Sequence, residues 1–110
     1  MTDYNHIHDE HCKEIGSVML DYYYGFEDES GIERDMLDWL EDIYTWEIRR
    51  DDNGNYKSCR LCWAWGGPWG YLDTESRTIT YGDHEGRGTY TMTGEMVHAI
   101  NEYVEEIDAC

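Results

Sequence analysis

Between Tyr44 and Tyr81 the chain repeatedly alternates apolar and polar residues, and this two-residue period limits its possible folds more than any other feature. Tyr44, Trp46 and Ile48 alternate with Thr45, Glu47 and Arg49, the pattern of a strand with one buried face. Asp51-Asp52-Asn53-Gly54-Asn55 follows and supplies the Asn-Gly pair that hairpin turns favour. A return strand is predicted over residues 56–65, with Cys59, Leu61, Trp63 and Trp65 alternating against Arg60, Cys62 and Ala64. Gly66-Gly67-Pro68 ends it. Residues 69–73 and 77–81 read as a second hairpin around Thr74-Glu75-Ser76, and a fifth short strand fits residues 89–92.

On either side of this region the period changes to that of a helix. Over residues 9–24, Ile15, Val18, Met19, Tyr22 and Phe26 recur at spacings of three and four, although Gly16 weakens the helix. Residues 26–31 read as a linker. Ser30-Gly31-Ile32-Glu33 has the capping-box form, so a second helix is predicted from about Gly31, burying Ile32, Met36, Leu40 and Ile43. Thr93 is suited to cap a last helix whose apolar stripe is Met96, Val97, Ile100, Tyr103, Val104 and Ile107. The order helix, helix, strands, helix predicts an α+β fold. Its antiparallel meander of four to five strands would carry two N-terminal helices and one C-terminal helix on one face.

A chain of 110 residues with 40% hydrophobic content suits a single domain over residues 1–110 with one modest core. The first residues, Met1-Thr2-Asp3, do not read as a secretory signal, and no apolar run is long enough to cross a membrane. The expected location is therefore the cytoplasm, where Cys12, Cys59, Cys62 and Cys110 are read as thiols.

The net charge is −17, and its distribution is uneven. Residues 1–48 carry 14 acids against two bases, residues 49–93 six against six, and residues 94–110 five against none. Such a chain repels free nucleic acid and anionic membranes and is steered towards basic surfaces. Solubility alone is served by a charge of about 2–8 in magnitude. The excess lies on the predicted helices, while the neutral strand region argues against adaptation to high salt. Glu27, Asp28, Glu29, Glu33, Asp35, Asp38, Glu41 and Asp42 form the expected partner-binding surface. Trp65 and Trp69, beside the Gly-Gly-Pro bend, are candidate aromatic contacts.

Other constellations carry less. Cys59 and Cys62 match C-x-x-C, but residues three apart on a continuous strand point to opposite faces. His6, His8, His11 and Cys12 cluster near the start, and on a helix His8, His11 and Cys12 share a face usable for a transition metal. Asp9 and Glu10 among them favour a solvated helix start instead, so neither a metal nor a cofactor is assigned. Asp51, Asn53 and Asn55 begin a calcium-loop ladder that fails at Tyr56 and Cys62, where glycine and glutamate are needed. His84 and His98 have no recognisable nucleophile partner, and no catalytic fingerprint is present. The chain is not expected to be an enzyme.

The stretch Gly66-Gly67-Pro68-Trp69-Gly70-Tyr71-Leu72-Asp73-Thr74, followed by Tyr81-Gly82-Asp83 and the acidic segment 96–107, resembles small proteins carried by phages and conjugative elements. In size, acidity and mixed architecture the chain is similar to anti-CRISPR proteins, several of which are DNA mimics. The resemblance implies an inhibitor, acting in a host bacterial cell, that occupies a basic groove of a CRISPR nuclease or similar nucleic-acid enzyme and blocks DNA binding. Other anti-CRISPR proteins block conformational change, dimerise the effector or modify it, and anti-restriction proteins are of similar character. A metal-binding module built on the N-terminal His and Cys residues, or a small enzyme modifying its target, are the alternatives.

Overall fold

The computed structural model describes residues 4–64 and 67–109. In chain order these form α1 (Tyr4–Tyr24), β1 (Phe26–Glu27), β2 (Glu33–Arg34), α2 (Met36–Glu41), β3 (Thr45–Arg50), β4 (Tyr56–Ala64), β5 (Trp69–Asp73), β6 (Thr78–Asp83), β7 (Gly86–Thr91) and α3 (Gly94–Asp108). β3 to β7 make one antiparallel sheet in sequential order, and β1 and β2 make a separate two-stranded ribbon. The α+β class and the meander agree with the periodicities. The helical part is arranged differently.

Register explains which residues become core. Leu61, Leu72, Ile79 and Tyr90 lie opposite one another across β4 to β7 and so share one face, which Trp46 of the edge strand β3 continues while staying 36% exposed. Met19 of α1, Met36 and Leu40 of α2, and Met96, Ile100 and Val104 of α3 belong to the same buried cluster. Each such side chain contributes roughly 1.5–3 kcal/mol of hydrophobic stabilisation. The other face presents Glu47, Arg60, Asp73, Thr78 and Thr91 in one row and Thr45, Cys62, Tyr71, Thr80 and Thr89 in the next.

Local chemistry sets the turns. The Asp51 carboxylate accepts from the backbone N–H groups of Asn53 and Asn55 at 2.9 and 3.0 Å, and Gly54 takes φ +82°. Thr93 caps α3 as expected, its hydroxyl accepting from Met96 N at 3.2 Å. Two bulges interrupt the sheet: Lys57 is an extra residue opposite the Arg49/Arg50 step, and Trp63 is extra between Cys62 and Ala64.

The first two helices depart from expectation. α1 begins earlier, and its buried face is His8, Cys12, Gly16 and Met19, with Val18 and Phe26 exposed. The stripe is rotated because α1 is seated by a backbone contact. A Cβ built on Gly88 of β7 would lie 2.2 Å from Asp9 N and 2.3 Å from the His8 carbonyl carbon. Only glycine lets the helix backbone come so close to the strand. Asp9 then accepts from Thr89 N at 2.7 Å, and Gly16 fits beneath Met96 and Ile79.

The second helix starts at Met36 and spans six residues. Its N-cap is Asp35, not Ser30, and the capping box is completed by Asp38, not Glu33: Asp35 accepts from Leu37 N and Asp38 N, while Asp38 accepts from Asp35 N at 2.9 Å. Ile32, predicted buried, is 51% exposed. The linker is instead the β1–β2 ribbon, whose turn is organised by Asp28 accepting from Ser30 N and Ile32 N.

Gly88→Ala is expected to cost at least about 2 kcal/mol, because the new methyl meets backbone that cannot rotate away. Gly94→Ala, at an α3 position with nothing within 4 Å, is expected to be neutral or slightly stabilising. Urea unfolding midpoints of the two variants check the contrast.

Candidate functional site

The eight acids proposed from the sequence divide into two chemical groups. Asp28, Asp35 and Asp38 are engaged within the fold. Asp28 accepts from Arg34 Nε at 2.8 Å in addition to its two turn amides, and the Ile32 amide bond followed by Arg34 holds its carboxyl below the usual carboxylate range. Asp35 and Asp38 cap α2, and Asp38 also lies 3.8 Å from Arg34. Glu27, Glu29, Glu33, Glu41 and Asp42 are exposed, and none has an ion-pair partner among the described residues. Glu27 and Glu33 face each other across the ribbon, a like-charge pairing that is locally unfavourable.

Trp69 is not brought to these acids. Trp65 lies outside the described residues. Trp69 is half-buried on the sheet face turned away from the helices, stacked on Tyr71 at 6.1 Å, and the Arg60 guanidinium sits 4.3 Å over the Tyr71 ring. On that same face Asp73, 6% exposed, receives a two-pronged contact from Arg49 at 2.9 and 2.7 Å. Asp73 also accepts from Glu75 N at 2.9 Å. Arg49 is the main cause that holds the Asp73 carboxyl below its ordinary range. Arg49 and Arg60 of this face are thus engaged with acids.

A groove opens between α1 and α2. Ile15 and Val18 form one wall, Trp39 and Ile43 the other, and Trp63 lines it from β4, around a volume of about 270 Å³. Glu14 and Asp42 are also part of its lining. Trp63 fits in this position because Gly70, opposite the bulge, has no side chain: a Cβ there would lie 2.7 Å from the indole Nε1. Sequence reasoning assigned Trp63 to the core and passed over Trp39 and Glu14. The signal was present, since Trp39 and Ile43 are four residues apart, as are Glu14 and Val18, but pairing the two faces requires the tertiary structure.

The cysteine and histidine candidates separate. Cys59 is fully buried and Cys62 half-buried, on opposite sheet faces as their spacing requires. Burial, followed by Asp9, pushes the Cys12 thiol up to about 11, and burial also raises Cys59. Thiols so shifted stay protonated at neutral pH, which disfavours thiolate chemistry. His8 is 7% exposed, with Nε2 3.4 Å from Asp83 Oδ1 and no hydrogen bond, whereas His11 is exposed and packs edge-on to Tyr81. The His6 side chain lies outside the described residues. Among the described residues no three His, Cys, Asp or Glu side chains converge on a metal position, and no helix is long and apolar enough to cross a membrane.

Compared with protein-family models, with curated proteins and with solved structures, the chain finds no match in any of the three.

The division of the acids is testable. Asp35→Ala is expected to cost about 1 kcal/mol as a lost cap, whereas Glu41→Ala leaves stability within about 0.5 kcal/mol; chemical denaturation distinguishes them. For Asp73, the folded value lies below the unfolded one. Its stabilising contribution is therefore complete above the ordinary carboxylate value near 4 and is lost as pH falls below it. Asp73→Asn is expected to lower stability by about 2 kcal/mol at pH 7 and to shallow the acid limb, read from urea midpoints at pH 7, 5 and 3.

Proposed function

We propose that this chain is an acidic inhibitor protein that binds the basic nucleic-acid groove of a CRISPR nuclease or comparable enzyme and competes with DNA inside a bacterial host cell. One observation carries the reading. Within residues 27–42 the acids needed for folding are paired or capping, and those left over, Glu27, Glu29, Glu33, Glu41 and Asp42, are exposed without cationic partners among the described residues. A surface kept uncompensated in this way has its natural complement in a channel that exchanges counterions for phosphates. Short structured elements carry these carboxylates, which limits the ordering entropy lost on binding. Their summed field accelerates encounter with a positive partner, and that acceleration weakens with added salt.

The resemblance to anti-CRISPR proteins supports the choice of partner class, and the excess of charge supports a blocking role over a catalytic one. Trp69 does not enter the primary contact, since it is on the sheet face turned away from the helices.

The decisive variant reverses Glu27, Glu29, Glu33 and Glu41 to Lys while sparing the capping Asp35 and Asp38. Competition with target DNA is measured by mobility shift against purified CRISPR nucleases, with titration of the inhibitor. The wild-type chain is expected to displace DNA at one-to-one stoichiometry and to lose potency as salt rises. The reversed variant is expected to lose at least about tenfold in affinity, with circular dichroism unchanged. Unaltered competition by the variant overturns the acidic-surface reading, and inhibition at far below stoichiometric amounts overturns the blocking mechanism.

A further inference from the structure

We infer that the groove between α1 and α2 receives an arginine side chain presented by the basic partner. The guanidinium would stack on the Trp39 and Trp63 side and pair with Glu14 and Asp42. This deepens the proposed function by naming a specific contact, and it rests on that reading for the basic character of the partner.

Three properties of the groove select this occupant. Its walls are apolar and aromatic, with half-buried Ile15, Trp39, Ile43 and Trp63, which favours a ligand that carries hydrocarbon along its length. Its polar lining is the exposed His11, whose ring packs edge-on to Tyr81, and two exposed carboxylates, Glu14 from α1 and Asp42 from the end of α2, neither of which has an ion-pair partner among the described residues. An indole wall with unpaired carboxylates is the chemistry that binds a cation with a flat, weakly hydrated face.

The third property is the polarity of α2. This helix ends in Leu40-Glu41-Asp42 and has no basic residue in its last turn. Carboxylates there oppose the partial negative charge of the helix C-terminus, where a cation is stabilising. α1 and α3 likewise lack basic residues in their last turns, but neither helix end lines this groove. An incoming guanidinium would therefore relieve repulsion between Asp42 and the α2 carbonyls as well as making new pairs.

Competing occupants fit less well. A nucleic-acid base could stack on an indole, but its phosphates would face Glu14 and Asp42. An acidic peptide meets the same repulsion. Lysine carries the charge but is a strongly hydrated point charge without a planar face. A second copy of the chain brings its own net charge of −17 and is repelled as a whole.

The test uses singly charged probes so that the overall charge of the protein does not dominate. Ac-Ala-Arg-Ala-amide and Ac-Ala-Lys-Ala-amide are titrated into the full chain at 150 mM salt, and the indole N–H resonances are followed by NMR. The arginine peptide is expected to shift the Trp39 and Trp63 resonances and to bind at least about threefold more tightly than the lysine peptide. Glu14→Gln with Asp42→Asn is expected to weaken arginine-peptide binding at least about fivefold. Asp52→Asn with Glu105→Gln, two exposed acids outside the groove, is expected to change it by less than about twofold. Because neutralising surface acids leaves the apolar contacts in place, the folded spectrum provides an internal check on each variant.

Equal binding of the two peptides, equal losses in the two variants, or shifts confined to other residues would each overturn the groove assignment. These outcomes are independent of the nuclease competition assay. Failure of that assay with the groove still preferring arginine removes the partner class and leaves the pocket chemistry standing. Success of that assay with an indifferent groove does the reverse.

Discussion

The backbone contact between α1 and β7 is the constraint on which the remaining arrangement depends. Gly88 allows Asp9 and His8 to lie against the strand at a separation no side chain would tolerate. That contact sets the rotation of α1 about its own axis. Once it is set, Cys12, Gly16 and Met19 face the sheet and Ile15 and Val18 face α2. Asp9 adds a bond to Thr89 N on the last strand of the sheet, satisfying a donor on an edge that would otherwise be open to pairing with another chain. A single residue without a side chain therefore decides both the packing of the first helix and the wall of the groove.

Electrostatics impose the second constraint. A chain with net charge −17 suffers self-repulsion in any compact state, and the fold manages it by spending some carboxylates on backbone donors. Asp28, Asp35, Asp51 and Asp73 all accept from main-chain N–H groups at turns or caps. Arg34 and Arg49 are held by Asp28 and Asp73 respectively, and Arg50 pairs with Asp108 of α3. Among the described residues, what is left over includes Glu27, Glu29 and Glu33 of the ribbon segment, Glu41 and Asp42 at the end of α2, and Glu14 of α1. The acids available to a partner are therefore a subset of those visible in the sequence, selected by which backbone groups needed capping.

The sheet and the helical layer divide these tasks. The five strands carry a buried apolar face and an opposite face whose arginines are engaged with Asp73, Glu47, Glu75 and Tyr71. The ribbon and the groove belong to the helical layer, and both present unpaired carboxylates. The sheet and the groove meet at Trp63, which lines the groove from β4, with Gly70 making the space for its indole.

Periodicity alone was enough to determine the meander, the Asn-Gly hairpin, the Thr93 cap and most of the stripe of α3, because each depends on neighbours within a few residues; Ile107, at the end of that stripe, is 38% exposed. The opposite facing of Cys59 and Cys62 was legible for the same reason. Periodicity misplaced the buried face of α1, since the backbone approach at Gly88 outweighs the apolar content of Val18 and Phe26. It misplaced the start of α2 as well: Ser30 and Asp35 both offer a capping side chain, and the choice fell to Asp35 because the ribbon pairs Glu33 and Arg34 with β1 and removes them from the helix. The acidic composition of the surface was written in the sequence. Which of its carboxylates are unpaired, and that two of them line a tryptophan groove, was decided by tertiary contacts between segments far apart in the chain, whose closeness no local pattern encodes.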